Sequence, residues 1–173
     1  MRVVVQADPI DATREYAVVR DRLGGQAGAI VTFSGLMREM GEDGALANMT
    51  LEHYPAMTRQ ELERIAREAQ GRWELDEVVV VHRFGTLKPG DEIVVVVTAA
   101  RHRREAFEAA WFLMDYLKTR APFWKKETTA TGRQRWVDAR TTDASAAARW
   151  GKTGTRDRPT SANPAGSRRR RGD

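Results

Sequence analysis

The stretch that decides the fold is VVVVHRFGTLKPGDEIVVVV, which occupies residues 78–97. Its two valine runs predict strands over residues 77–83 and 92–98, because β-branched residues favour extended backbone. Pro89-Gly90 between them suits the centre of a type II turn, in which proline precedes a residue of positive φ. The valines do not alternate with polar residues, which indicates that both faces of these strands are buried.

Helical patterns lie on both sides of this stretch. Asp11 is placed to cap a first helix, which Gly24-Gly25 ends near residue 23. Thr58 and Glu61 have the spacing of a capping box, which predicts a second helix from that point to about Gly71. A third helix is predicted over residues 103–118. Its apolar side is formed by Phe107, Ala110, Trp111, Met114 and Leu117.

The remaining patterns complete a single α+β domain over residues 1–150. Further strands are predicted over residues 3–5, 28–34, 49–54 and 134–139, a mobile loop over 39–45, and a last helical turn within 142–150. Hairpin-connected strands alternate with helices, which favours a mixed or antiparallel sheet with packed helices over a doubly wound parallel sheet.

Composition excludes several classes of protein. The chain has 173 residues, of which 41% are hydrophobic and 31% charged, as is ordinary for a soluble globular protein. It has no cysteine, which rules out disulfides, thiolate zinc sites and cysteine nucleophiles. The first residues, MRVVVQADPID, do not have the pattern of a signal peptide, and no run is long enough to span a membrane. We therefore expect a cytoplasmic protein without a membrane partner.

The net charge of +5 is carried by the end of the chain. Residues 151–173 hold seven cations and two anions, whereas residues 1–150 hold 22 of each. The composition of 151–173 is rich in Gly, Ser, Thr, Pro and Arg, which predicts a disordered basic tail. A nucleic-acid-binding protein that acts through this tail is an alternative, but the neutral charge of residues 1–150 argues against nucleic acid as a partner.

The segment MDYLKTRAPFWKKE, residues 114–127, carries the strongest chemical signal. It places Lys118 and Lys125 on either side of a turn at Pro122, among large apolar and aromatic residues. Two amines beside a partly dry pocket suit an anion or an acyl group, and such lysines can act as nucleophiles or proton carriers. For Lys118 alone, a cation that complements the C-terminal end of a helix is the simpler interpretation.

Other cations could bind the anion. His102 and Arg103 stand at the start of the third predicted helix, where unpaired N–H groups favour negative charge. Arg38 follows Gly35 and could hold a phosphate through two parallel hydrogen bonds. Surface positions are equally compatible with each residue. His53 and His82 lie in predicted strands without metal-ligand spacing, which indicates structural roles and no metal site.

Six motifs together resemble one family, the large catalytic subunit of molybdopterin synthase. They occur in order over almost all of residues 1–150: GAIVTFSGLMR (28–38), LEHYPAMT (51–58), VHRFGTLKPGDE (81–92), HRREAF (102–107), MDYLKTRAPFWKKE (114–127) and RWVDAR (135–140). The resemblance implies an α/β-hammerhead-like fold. The basic tail departs from the family, whose members end near the position of Trp150.

The resemblance also implies an activity. Such an enzyme is a sulfurtransferase that converts cyclic pyranopterin monophosphate into molybdopterin. Its two sulfurs come from the C-terminal Gly-Gly thiocarboxylate of a small ubiquitin-like subunit. Two large subunits form a central homodimer with a small subunit at each end, and the pocket draws residues from both large subunits. No resident cofactor is implied.

The family's site residues map onto six positions of this sequence. The catalytic lysines are Lys118 and Lys125, and the substrate-binding residues are Arg38, His102 and Arg103, with Arg140 a weaker candidate. We assign Lys125 to the reacting centre and Lys118 to the carbonyl of the donor. A non-catalytic relative that only binds the small subunit remains an alternative. The chain ends Arg171-Gly172-Asp173 and is therefore not expected to be the sulfur donor itself.

Overall fold

A computed structural model describes residues 1–42, 44–137 and 147–152. The helices are α1 (Ala12–Leu23), α2 (Pro55–Arg72) and α3 (Arg103–Arg120). The strands are β1 (Arg2–Gln6), β2 (Ala29–Leu36), β3 (Met40–Gly41), β4 (Gly44–His53), β5 (Leu75–Arg83), β6 (Gly85–Leu87), β7 (Glu92–Ala100), β8 (Phe123–Thr129) and β9 (Gln134–Val137). A 3-10 turn occupies Arg149–Lys152. The predicted α+β class is confirmed.

The strands of the described residues form two sheets. The first has the order β1-β5-β7-β2, with β1 parallel to β5 and the other pairs antiparallel. The second has the order β3-β4-β8-β9, and β6 also pairs with β4. Apart from the β1–β5 pair, every pairing is antiparallel, in accordance with the predicted mixed sheet.

The valine strands are buried on both faces, as predicted. One face of the first sheet, including Val78 and Val80, packs against α2 and α3. The other face, including Val79 and Val81, packs against α1. All four side chains are at most 1% exposed. This double burial explains why strands β5 and β7 consist of near-continuous apolar runs.

The turns and helix ends follow local chemistry at several predicted points. The Asp11 carboxylate caps α1 by accepting a hydrogen bond from the backbone N–H of Arg14 at 2.9 Å. Gly24 ends α1 with a φ of 59°, a conformation that glycine adopts without a steric penalty. Gly90 has a φ of 88°, and Asp91 N–H donates to the Lys88 carbonyl at 3.0 Å, as the predicted turn requires.

The predicted capping box is wrong. Helix α2 begins at Pro55, whose fixed φ suits the first helical position, and Tyr54 caps it without a side-chain hydrogen bond. Thr58 lies one turn inside the helix and is fully buried. Its hydroxyl donates to the carbonyl of Pro122 at 3.4 Å, so it joins α2 to the connection between α3 and β8. The helix also passes Gly71 and ends at Arg72.

Two further expectations need correction. Residues 39–45, predicted as a mobile loop, include β3 and the start of β4, which pair as a hairpin through Met40 and Ala45. On α3, Phe107 and Trp111 are not on the buried side but are each 61% exposed. The buried stripes of α3 instead contain Ala106, Ala109, Ala110, Phe112, Leu113, Tyr116 and Leu117. The buried side of α3 therefore combines small alanines with Phe112 and Tyr116, whereas Phe107 and Trp111 lie on its outward side.

The 3-10 turn at residues 149–152 lies against α2 and α3. The Trp150 ring packs edge-on against Trp73 and Phe112. Its indole N–H and the Arg149 guanidinium both donate to one oxygen of the buried Asp115 at 2.7 Å. A helical turn here agrees with the sequence. The predicted disordered tail falls mainly on residues 153–173, which lie outside the described residues.

No helix of the described residues has the length and apolar character needed to cross a membrane.

Candidate active site

A cavity of about 500 Å³ lies where the end of α3 meets both sheets. Its wall combines the end of β2, the start of β7 and β8, and the last turns of α3, and is mainly apolar. The polar side chains on it are Ser34, His82, Lys118 and Lys125. The size suits a small organic molecule or the end of a peptide.

Lys118 and Lys125 line this same cavity, as their position around Pro122 led us to expect. Lys118 belongs to the last turn of α3, and Lys125 is the third residue of β8. Between them Ala121 leaves the helix with a ψ of 124°, because a residue before proline is pushed out of the helical region. The chain therefore turns at Pro122, and Lys118 of α3 and Lys125 of β8 both line the wall of one cavity.

Glu127 fixes the amine of Lys125. The Lys125 Nζ atom lies 2.6 Å from Glu127 Oε1, and the Glu127 side chain is only 10% exposed. Alternate residues of a strand project to the same face, so Lys125 and Glu127 are neighbours on β8. Arg135 of β9 approaches the other Glu127 oxygen at 3.7 Å. Sequence reasoning missed this carboxylate, although a lysine and a glutamate two residues apart in a strand signal such a pair.

Lys126 faces the opposite side of β8. Its Nζ atom lies 5.3 Å from the centre of the Trp136 ring and 3.9 Å from a Glu52 oxygen. The two consecutive lysines of the sequence are thereby separated by the sheet: Lys125 reaches the cavity and Lys126 does not line it.

His82 also lies on the cavity wall, although the sequence indicated only a structural role for it. Its Nδ1 atom lies 2.9 Å from the backbone oxygen of Arg83. The ring stacks on Phe123 with 3.9 Å between ring centres and 14° between planes. Burial lowers the pKa of His82 to about 4, and the nearby His53 adds to this effect, so the ring is neutral at physiological pH.

Arg38 lies two residues beyond Leu36, the last cavity-lining residue of β2. Backbone hydrogen bonds hold this segment: Met37 N–H donates to the Asp91 carbonyl, and Gly90 N–H donates to that of Met37, both at 2.9 Å. Arg38 itself is exposed. Arg38 therefore follows directly on the β2 part of the cavity wall but does not itself line the cavity.

His102 and Arg103 stand at the other end of α3. His102 is the N-cap residue, Arg103 begins the helix, and both are exposed. At a rise of about 1.5 Å per residue, about 24 Å of helix separates His102 from Lys118. One copy of the chain therefore does not bring these residues to its own lysine cavity. Arg140, the remaining candidate, lies outside the described residues.

The fold and the site define an α+β protein with a paired-lysine cavity suited to an anionic or acyl ligand. Comparison with known proteins makes this specific: the model of the MoaE protein family matches residues 5–120, and the chain belongs to this family.

Its relatives are similar over nearly their whole length. The molybdopterin synthase catalytic subunit of Cereibacter sphaeroides is 53% identical over 150 residues, which cover 87% of this chain and 100% of that protein. The solved MoaE protein of Burkholderia ambifaria is 51% identical with a TM-score of 0.73, covering 87% of this chain and 97% of that one.

A more distant solved structure has the same fold. It is a complex of subunits 1 and 2 of molybdopterin-converting factor from Helicobacter pylori, with 16% identity and a TM-score of 0.67. The match covers 80% of this chain and 91% of that one.

Proposed function

We propose that this protein is the catalytic subunit of a molybdopterin synthase, a sulfurtransferase of molybdenum cofactor biosynthesis. It converts cyclic pyranopterin monophosphate into molybdopterin by inserting two dithiolene sulfurs. Each sulfur arrives as the C-terminal thiocarboxylate of a small ubiquitin-like subunit. The observation that carries this proposal is that Lys118 and Lys125 share one cavity in a chain of the MoaE family.

The proposed assembly is a homodimer of this chain with one small subunit at each end, working in the cytoplasm without a resident cofactor. Residues 1–150 form the catalytic domain. The names of the similar catalytic subunits and the two-subunit Helicobacter pylori complex support this arrangement.

The two lysines supply positive charge where the reaction needs it. The thiocarboxylate is an anion and enters a mainly apolar cavity, in which a fixed cation stabilises it more than water would. Its sulfur bonds to a substrate carbon and displaces an oxygen substituent of that carbon, which takes up a proton as its bond to carbon breaks. Water then adds to the donor's acyl carbon, whose bond to sulfur breaks, so that the small subunit leaves as a carboxylate. Lys118 stabilises the acyl oxygen, and Lys125, held by Glu127, stabilises charge and moves protons at the substrate carbon.

The substrate phosphate requires further cations. Arg38 lies at the β2 end of the same copy, whereas His102 and Arg103 are about 24 Å of helix away from Lys118. A second copy of the chain can bring its own α3 N-terminus to the cavity. We therefore assign His102 and Arg103 of the second copy to the phosphate, with Arg140 as an additional candidate.

The activity test uses a matched pair of lysines. The Lys125→Ala variant should lower the rate of dithiolene formation about 100-fold or more, since one preorganised charge is lost from the site. The Lys126→Ala variant alters the neighbouring lysine on the other face of β8 and should stay near the wild-type rate. The assay mixes each protein with thiocarboxylated small subunit and the pterin precursor. A folded Lys125→Ala variant that works at the wild-type rate would contradict the proposal.

Subunit mixing tests the two-copy site. Lys125→Ala and Arg103→Ala proteins are each inactive or weak alone. In a heterodimer of the two, one cavity has an intact Lys125 and receives an intact Arg103 from the other copy. After random exchange, about a quarter of the wild-type activity should return, because half of the dimers carry one intact site. If both residues act within one copy, mixing restores nothing.

A further inference from the structure

His82 is held rigidly on the wall of the lysine cavity. It is the last residue but one of β5 and lies on the same face as Val78 and Val80, which pack against α2 and α3. The residue is 8% exposed, and its ring stacks against Phe123, two positions before Lys125. A side chain fixed by its backbone strand and by a stacked ring presents one edge to the cavity in a defined direction.

The hydrogen bond to Arg83 defines which nitrogen carries the proton. A backbone carbonyl oxygen can only accept, so the His82 Nδ1 atom, 2.9 Å away, is the donor. The neutral ring therefore carries its free lone pair on Nε2. Burial, which lowers the pKa of this imidazole to about 4, keeps the lone pair available at neutral pH. Among the described residues, none donates a hydrogen bond to this atom.

The other polar side chains of the wall supply mainly donors. The ammonium groups of Lys118 and Lys125 can only donate. The Ser34 hydroxyl donates to Glu92 Oε1 at 3.0 Å. A reactant that enters this cavity leaves water behind, and each of its N–H or O–H groups then needs a new acceptor. Nε2 of His82 is such an acceptor.

We infer that the Nε2 atom of His82 accepts a hydrogen bond from an N–H or O–H group of the reactant that occupies the lysine cavity. This inference rests on the proposed function and adds a neutral binding residue to its cations. Two reactants carry the required chemistry: the pterin substrate, through its ring N–H or hydroxyl groups, and the end of the small subunit, through its backbone N–H groups. Loss of the acceptor should weaken binding of that reactant about tenfold.

Two amide substitutions separate this role from a structural one. In His82→Gln, the side-chain oxygen can take the place of Nε2, but the donor to Arg83 is lost. In His82→Asn, the amide N–H can replace Nδ1–H, but nothing replaces Nε2. Both variants lose the stacking on Phe123, so they are matched in that respect. His53→Gln and His53→Asn are controls, because His53 lies near the same Phe123 ring, at 5.7 Å between ring centres, but does not line the cavity.

The measurements are kcat and KM for the pterin precursor, and Kd for the small subunit in its carboxylate form. We expect His82→Gln within about threefold of wild type and His82→Asn about tenfold worse. A change in KM assigns the donor to the pterin, and a change in Kd assigns it to the peptide. An asparagine variant as good as the glutamine variant, or two variants equal to wild type, would overturn the inference.

A measurement on the wild-type protein covers the case in which both variants are unstable. In protein labelled with ¹⁵N-histidine, the Nε2 resonance of His82 should have the position of an unprotonated nitrogen. It should move upfield when the pterin precursor or the small subunit is added. A resonance that stays in place at saturation overturns the inference. An inactive wild-type protein, given fully thiocarboxylated small subunit, would instead count against the proposed function.

Discussion

Burial of His82 should make the stability of this protein fall between pH 7 and pH 5. The pKa of His82 is about 4 in the folded protein, against 6.5 for an ordinary histidine. The unfolded chain therefore binds more protons between these two values, and stability is lost as the pH falls through this range. The full effect is about 3 kcal/mol below pH 4, of which about 2 kcal/mol is lost between pH 7 and pH 5.

Urea unfolding of the wild type and of His82→Gln at pH 7 and pH 5 measures this effect. The wild type should lose about 2 kcal/mol more of its unfolding free energy than the variant, which has no ring to protonate. Burial also lowers the pKa of His53, so His53→Gln serves as the control. Between pH 7 and pH 5 this control variant should still show most of the decrease in unfolding free energy that the wild type shows. If the wild type and His82→Gln lose the same free energy, His82 is not the buried neutral group described above.

Two further predictions concern charge and backbone packing. Glu127→Gln removes the carboxylate 2.6 Å from the partly exposed Lys125 amine. The value of kcat/KM in the dithiolene assay should therefore fall about tenfold. A wild-type value would show that the Lys125–Glu127 pair does not support catalysis. Gly28→Ala should destabilise the fold by about 3 kcal/mol in urea, because a Cβ atom there would overlap the backbone oxygen of Arg101. Gly71→Ala, with open space around it, should instead stabilise α2 by up to about 1 kcal/mol. Equal unfolding free energies for the two alanine variants would refute the packing argument.

The sequence predicted the elements whose signals are local. The valine runs around the Pro89-Gly90 turn gave β5 and β7, and the Asp11 cap and Gly24 gave the limits of α1. Such patterns depend on residues within a few positions of one another. The capping box at Thr58 failed because that side chain bonds instead to Pro122, 64 residues away. A long-range partner of this kind leaves no local pattern.

The residues of the candidate site also differ in whether a local sequence pattern reveals them. The lysines around Pro122 were recognisable because the proline that joins them is close in the chain. Glu127 had a weak local signal, and His82 had none for the cavity, because β5 reaches it only through sheet pairing and through stacking on Phe123. The exposed Phe107 and Trp111 have the same helical spacing as residues of a buried face. Only tertiary packing showed which side of α3 meets the sheet.

The sequence by itself determined that this is an α+β chain with two lysines beside a proline turn, since propensity, capping and the restriction before proline act over a few residues. Only the tertiary structure decided what surrounds those lysines. It brought His82 to the cavity, paired Glu127 with Lys125, and turned Lys126 away from the cavity. The physical reason is that strand faces and helix direction are fixed by pairing and packing between segments distant in the chain.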